Sequence, residues 1–204
     1  PRAAEPGRGI RFFAHRHRQR PPPQTTTKNY TLAIEKSDDT FVVNGFTDDA
    51  IQDACNQAEA LGGGVVYLPS GTYQFNETVT VEDNITVLGA AMLRNVVDRK
   101  DHHRIYHPYW DGLPSECTSS DKNLELFRAN GDNATFAYLR ISGILDHETT
   151  EINEKQGKGI VFQMMKNGRA YRCEIRKLTY GIRLVNAESA TIEQCYIRDH
   201  TTSG

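Results

Sequence analysis

The sequence predicts an all-β solenoid of short parallel strands, a parallel β-helix, on three observations. The carboxyl-terminal third repeats every 22 residues: Cys173-Glu-Ile-Arg176 returns as Cys195-Tyr-Ile-Arg198, and Gly159-Ile160 returns as Gly181-Ile182. Strands this short cannot belong to αβ units, so the period is that of stacked coils. Apolar residues in the repeats alternate with polar ones, the pattern of strands buried on one face. A strong helix pattern stands near the amino end, at 47–61, and short strand signals follow it.

Residues 1–28 come first and read as a disordered, basic, Pro-rich tail. They hold Arg2, Arg8, Arg11, Arg16, Arg18, Arg20 and Lys28 against Glu5, a net of +6, and Pro21-Pro-Pro23 follows the arginines. A targeting or nucleic-acid arm is the other reading of such a segment. The chain has 204 residues and a formal charge of −2, so the part after the tail carries −8. That acidity repels nucleic-acid phosphates and argues against nucleic acid as a general partner. No apolar run approaches the roughly 20 residues of a membrane span.

The solenoid is expected over 29–204. Leu32–Lys36 is a weak strand candidate. At 47–61, Thr47 or Asp48 can cap the helix, acids fill its first turn, and Ala50, Ile51, Ala54, Cys55, Ala58 and Leu61 share one face. Gly62-Gly-Gly64 stops it. Strands are expected at Val65–Leu68, Thr72–Phe75, Thr78–Val81 and Ile85–Leu88, with a turn at Pro69-Ser-Gly71.

Thr47-Asp-Asp-Ala-Ile-Gln52, Gly62-Gly-Gly-Val-Val-Tyr-Leu-Pro-Ser-Gly-Thr-Tyr73 and Asn84-Ile-Thr-Val-Leu-Gly89 together resemble the amino-terminal signature of the pectate-lyase-like superfamily. The resemblance implies a right-handed, single-stranded parallel β-helix whose open amino-terminal end is capped by the α-helix. It covers about 45 residues and speaks for the fold more than for a reaction. Val43-Asn-Gly-Phe46 stands where the family usually has Gly-Asp-Gly, so the chain is a divergent member.

The repeat then assigns ladders, because residues one coil apart stack at about 4.8 Å. Ile160–Ile182, Phe162–Leu184, Ala170–Ile192, Cys173–Cys195 and Ile175–Ile197 face inward. Phe136–Ile141 fits one coil earlier, with Leu139 beside Cys173 and Ile141 beside Ile175. The longer interval leaves residues 146–157, polar and Glu-rich, as an inserted loop. Residues 91–122 read as a second insertion without clear periodicity. Of the cysteines, Cys173 and Cys195 read as stacked, buried hydrophobes in preference to a disulfide. The chain stops at Gly204 where a further coil would begin, so the sequence reads as truncated at the carboxyl end. An open solenoid end of this kind is expected to self-associate.

Outward ladders carry the candidate chemistry: Arg140–Glu174–Tyr196, Ser142–Arg176–Arg198 and Lys177–Asp199. Arg176 over Arg198 repel unless an anion joins them, or unless they splay into water or pair with Glu174 and Asp199. Asp199-His200 is a possible acid/base pair, though no complete catalytic motif surrounds it. His102, His103 and His107 have metal-ligand spacing only if 103 and 107 lie on a helix, and Pro108 favours a loop, so no metal site is assigned. Tyr109 and Trp110 are candidates for stacking on a sugar, with Tyr196, Lys177, Arg176 and Arg198 as further binding residues.

The resemblance implies a carbohydrate-active protein, a polysaccharide lyase or glycoside hydrolase acting on an acidic glycan, with Ca²⁺ a possible cofactor. The other reading is a non-catalytic surface adhesin or glycan-binding β-helix. Four Asn-x-Thr acceptors, at Asn29, Asn76, Asn84 and Asn133, point to an extracellular or cell-surface location.

Overall fold

A computed structural model of the chain describes residues 39–98, 105–121, 123–143 and 157–198. The tail at 1–28, Asn29, the 32–36 strand candidate, most of the 146–157 loop, Asp199 and His200 lie outside the described residues. The described part is a parallel β-helix built coil by coil. Coil 1 contains β1 (Thr40–Val42), α1 (Asp48–Ala60), β2 (Gly64–Leu68), β3 (Gly71–Gln74) and β4 (Val79–Val81). Coil 2 contains β5 (Ile85–Gly89), the insertion β6 (Met92–Asp98) and β7 (Ile105–Asp111), then β8 (Ser115–Ser119) and β9 (Glu125–Ala129). Coil 3 is β10 (Thr135–Ala137), β11 (Leu139–Gly143) and β12 (Lys158–Gln163); coil 4 is β13 (Arg169–Tyr171), β14 (Glu174–Arg176) and β15 (Tyr180–Val185). β16 (Thr191–Glu193) and β17 (Tyr196–Arg198) begin the next.

Corresponding strands pair in parallel to give three sheets, which we call A (β1-β2-β5-β10-β13-β16), B (β3-β8-β11-β14-β17) and C (β4-β9-β12-β15). Their registers reproduce the expected ladders: Ile160↔Ile182, Phe162↔Leu184, Ala170↔Ile192 and Ile175↔Ile197 are all partners. The inward column of sheet B runs Tyr73–Cys117–Ile141–Ile175–Ile197. Cys117 therefore belongs to the same stack, and all four cysteines carry free thiols. The hydrogen bond of Cys173 to Cys195, together with burial, pushes the Cys173 thiol upward. Phe75, Phe127, Phe136 and Phe162 follow one another through the core with ring centroids 5.1, 5.3 and 5.8 Å apart.

Coils turn at left-handed residues. Asn84, Asn133 and Asn167 make the corner from sheet C to sheet A, with φ of 57°, 62° and 56°. Asparagine tolerates this conformation better than most residues. Each side chain also supports the next: Asn133 Nδ2 donates to Asn84 Oδ1 at 2.8 Å and Asn167 Nδ2 to Asn133 Oδ1 at 3.2 Å. At Gly131 the coils approach so closely that a Cβ would fall 2.0 Å from the Asp83 amide nitrogen.

Helix α1 closes the first coil. Thr47 caps it, its hydroxyl accepting from the Ala50 amide at 3.3 Å, and Ile51, Ala54, Cys55 and Ala58 face the core. Gln52 imitates a further strand against β4: its Oε1 accepts from Thr80 N at 2.7 Å and its Nε2 donates to Thr80 O at 3.1 Å. Asp48 accepts from the amides of Asn76 and Glu77. The sheet C edge at Thr80 and two amides of the turn before it, which would otherwise need water, are thereby satisfied.

Residues 91–122 differ from the expected irregular insertion. β6 and β7 form an antiparallel hairpin, Met92↔Asp111 through Asp98↔Ile105, and Ser115–Ser119 is an ordinary coil strand. Ile105–Asp111 being extended also removes the helical spacing considered for His103 and His107. Pro108 is compatible with a strand because a two-stranded ribbon has only edge strands. The two ends of the insertion meet at Ser115, whose hydroxyl accepts from the Ala90 amide at 3.0 Å and donates to the Leu68 carbonyl at 2.6 Å.

Candidate functional site

Sheet B turns alternate residues outward, and on coils 2 to 5 these form a compact charged strip. One column runs Glu116–Arg140–Glu174–Tyr196 and the other Thr118–Ser142–Arg176–Arg198. Strand spacing brings side chains of successive coils into contact, so sequence positions far apart act as neighbours. The strip holds three guanidiniums and two carboxylates.

Glu174 is its centre. One oxygen, Oε2, accepts from Trp110 Nε1 at 2.6 Å and from Arg140 Nε at 2.9 Å. The other, Oε1, lies 3.4 Å from Arg198 NH2 and 3.9 Å from Arg176 NH1. Its side chain is only 3% exposed. Burial works to raise its pKa, but the Trp110 hydrogen bond and the neighbouring guanidiniums of Arg140 and Arg176 outweigh it, and the carboxyl is held below its usual range. Glu174 is thus a fixed anion. Glu116 plays a looser version of the same part: Oε1 accepts from Ser142 Oγ at 2.8 Å and from Arg176 NH2 at 3.2 Å, while Arg140 NH1 lies 3.8 Å from Oε2.

Trp110 comes from the hairpin. The residue is 9% exposed and packed with Ala91, Leu93 and Tyr196, and the Arg140 guanidinium sits 5.4 Å from its ring centroid. The indole that the sequence offered as a sugar platform is committed instead to covering Glu174. Tyr109, its neighbour, points the other way and is 56% exposed. The structure brings together Arg176, Arg198, Tyr196 and Trp110 from the sequence candidates; Lys177 stands apart at the corner from sheet B to sheet C, with φ 57°. Arg176 and Arg198 are in register, as the repeat requires, and both reach towards Glu174. Arg176 Nε is buried without a hydrogen-bond partner among the described residues.

Glu116 was missed because the hairpin interrupts the period ahead of it. The alternation Ser115-Glu-Cys-Thr-Ser119 was the available signal. His102 and His103 lie outside the described residues, and of His107 only the backbone is described. Among the described residues no three His, Cys, Asp or Glu side chains converge as a metal site. The strip's carboxylates face guanidiniums, so the strip itself does not offer calcium a set of oxygen ligands. Asn76, Asn84 and Asn133 are exposed, the last two within the amide ladder. No described helix is long and apolar enough to cross a membrane.

Three-strand coils, a capping helix and a charged outer strip define the class: a pectate-lyase-like parallel β-helix. The chain belongs to the family described as "Rhamnogalacturonase A/epimerase, pectate lyase-like", which matches residues 42–203. That family places it among carbohydrate-active proteins. No curated protein and no solved structure matches it.

Proposed function

We propose that the protein engages an extracellular acidic polysaccharide along the outer face of sheet B, as a polysaccharide lyase or glycoside hydrolase. The observation that carries the reading is the gathering of guanidiniums on the outer face of sheet B. Among the described residues, Arg140, Arg176 and Arg198 stand in one strip with Glu116 and Glu174, and Arg176 Nε has no protein acceptor there. Guanidiniums pair with carboxylates through two parallel hydrogen bonds, which suits a uronate. Calorimetry with polygalacturonate and a neutral glucan tests this. The wild type is expected to prefer the polyuronate, and Arg176→Gln with Arg198→Gln to lose most of that preference while staying folded. Equal affinity of both proteins for polygalacturonate would reject the strip as the site.

The non-catalytic reading, a glycan-binding surface protein, draws on Glu174. A carboxylate held ionised and bonded on both oxygens is no proton donor, so Glu174 itself is suited to binding and not to general-acid catalysis. Incubation with polygalacturonate separates the two. New reducing ends, or an unsaturated product, mean catalysis; binding without either means an adhesin-like role.

A further inference from the structure

Glu174 occupies an outward strand position, where a glutamate ordinarily reaches water, yet it is among the most enclosed charged groups described. The hairpin causes this by laying Trp110 over it. Guanidiniums from three coils then converge on one carboxylate: Arg140 at 2.9 Å, Arg198 at 3.4 Å and Arg176 at 3.9 Å. Stability alone does not call for such an arrangement, because apolar side chains of similar volume often serve as well as buried ion pairs. What a shared buried anion supplies is orientation. Three neighbouring cations, two of them stacked, would otherwise turn away from one another, and excluding water strengthens each contact that fixes them.

We infer that Glu174 and Trp110 are positioning residues of the polyuronate strip. Glu174 sets the planes in which Arg176 and Arg198 present their outer nitrogens, and Trp110 seals that anchor from water. Neither touches the sugar. The inference rests on the proposed function above, but it makes a prediction that simple charge does not. Glu174→Gln removes a negative charge from a strip that binds an anion. If Glu174 were only a counter-charge, the variant would bind polygalacturonate more tightly. As a positioning residue, its loss weakens polygalacturonate binding by about tenfold or more. Dextran sulfate, whose tetrahedral groups follow charge more than fork alignment, binds the variant at least as well as the wild type.

The test is calorimetry of the full chain with both polymers, for wild type, Glu174→Gln and Trp110→Phe, with folding checked by circular dichroism and urea midpoint. Trp110→Phe keeps an aromatic cover, smaller than the indole, and loses the N–H donor. A loss of about twofold to fivefold for polygalacturonate alone is expected there, and it carries the test if Glu174→Gln does not fold. Trp110 is also the only tryptophan, so its emission reports the seal directly. Acrylamide quenching is expected to rise several-fold in Glu174→Gln without any ligand. Polygalacturonate binding to a folded Glu174→Gln as tight as wild type, unchanged affinity in Trp110→Phe, or unchanged quenching overturns the inference. If the wild type binds no polyuronate, the proposed function falls, and quenching alone decides whether Glu174 holds the seal.

Discussion

Ile175 and Ile197 occupy neighbouring rungs of one inward column, yet the first is fully buried and the second 40% exposed. Truncation to alanine therefore has two different costs. Ile175→Ala is expected to lose about 2–5 kcal/mol through transfer and cavity terms, whereas Ile197→Ala loses about 1 kcal/mol or less. Equal urea midpoints for the two variants would contradict the difference in burial. Glu174 gives a second residue-scale expectation, in pH. Its folded pKa lies below the ordinary 4.5, so its contribution to stability is complete above that value and is lost as pH falls through the depressed one. Urea midpoints of the wild type should drop on acidification below about pH 4.5, and the drop should be shallower in Glu174→Gln. Glu125 is also depressed: burial works to raise its pKa, and its hydrogen bonds to Lys158 and Arg128 outweigh that. Some acid sensitivity therefore remains in the variant.

Among the described residues, helix α1 and the β6–β7 hairpin are the two elements that depart from the coil pattern, and they were unequally legible in the sequence. The helix announces itself locally, through Thr47, the acids after it, one apolar face and a glycine stop. What it does with Gln52 was not legible, because Thr80 is 28 residues away and nothing local marks an amide as a strand mimic. Gln52→Ala removes both contacts and leaves Thr80 N–H without that partner. A loss of about 1–3 kcal/mol is expected, read as a lowered urea midpoint with helix content retained. The hairpin was opaque for the same reason at longer range. Trp110 finds its partner 64 residues on, so the stretch shows no period of its own and its most telling residue looked like a free aromatic. Charged columns of coils 3 to 5 were readable because Arg140, Glu174, Arg176 and Arg198 ride on the same repeat as the core. Glu116 was hidden behind the interruption.

At the scale of the whole molecule, the ladders make position depend on coil number and corner more than on distance along the chain. That is why offsets as unequal as Tyr73 to Cys117 and Ile175 to Ile197 place residues in one column. Extra chain is accommodated wherever a corner can open without disturbing the sheets. The Ser115 hydroxyl shows how such an opening is closed: it holds Ala90 on one side of the hairpin and Leu68 of the coil below. The corner there behaves as a socket with its own clasp. A segment whose two ends can meet at that hydroxyl is expected to leave the coil registers unchanged, provided that its own side chains pack on the strip as those of the hairpin do. Variation among related chains should therefore concentrate in what is plugged in, and exchange of the hairpin alone offers a route to changing what the outer strip accepts.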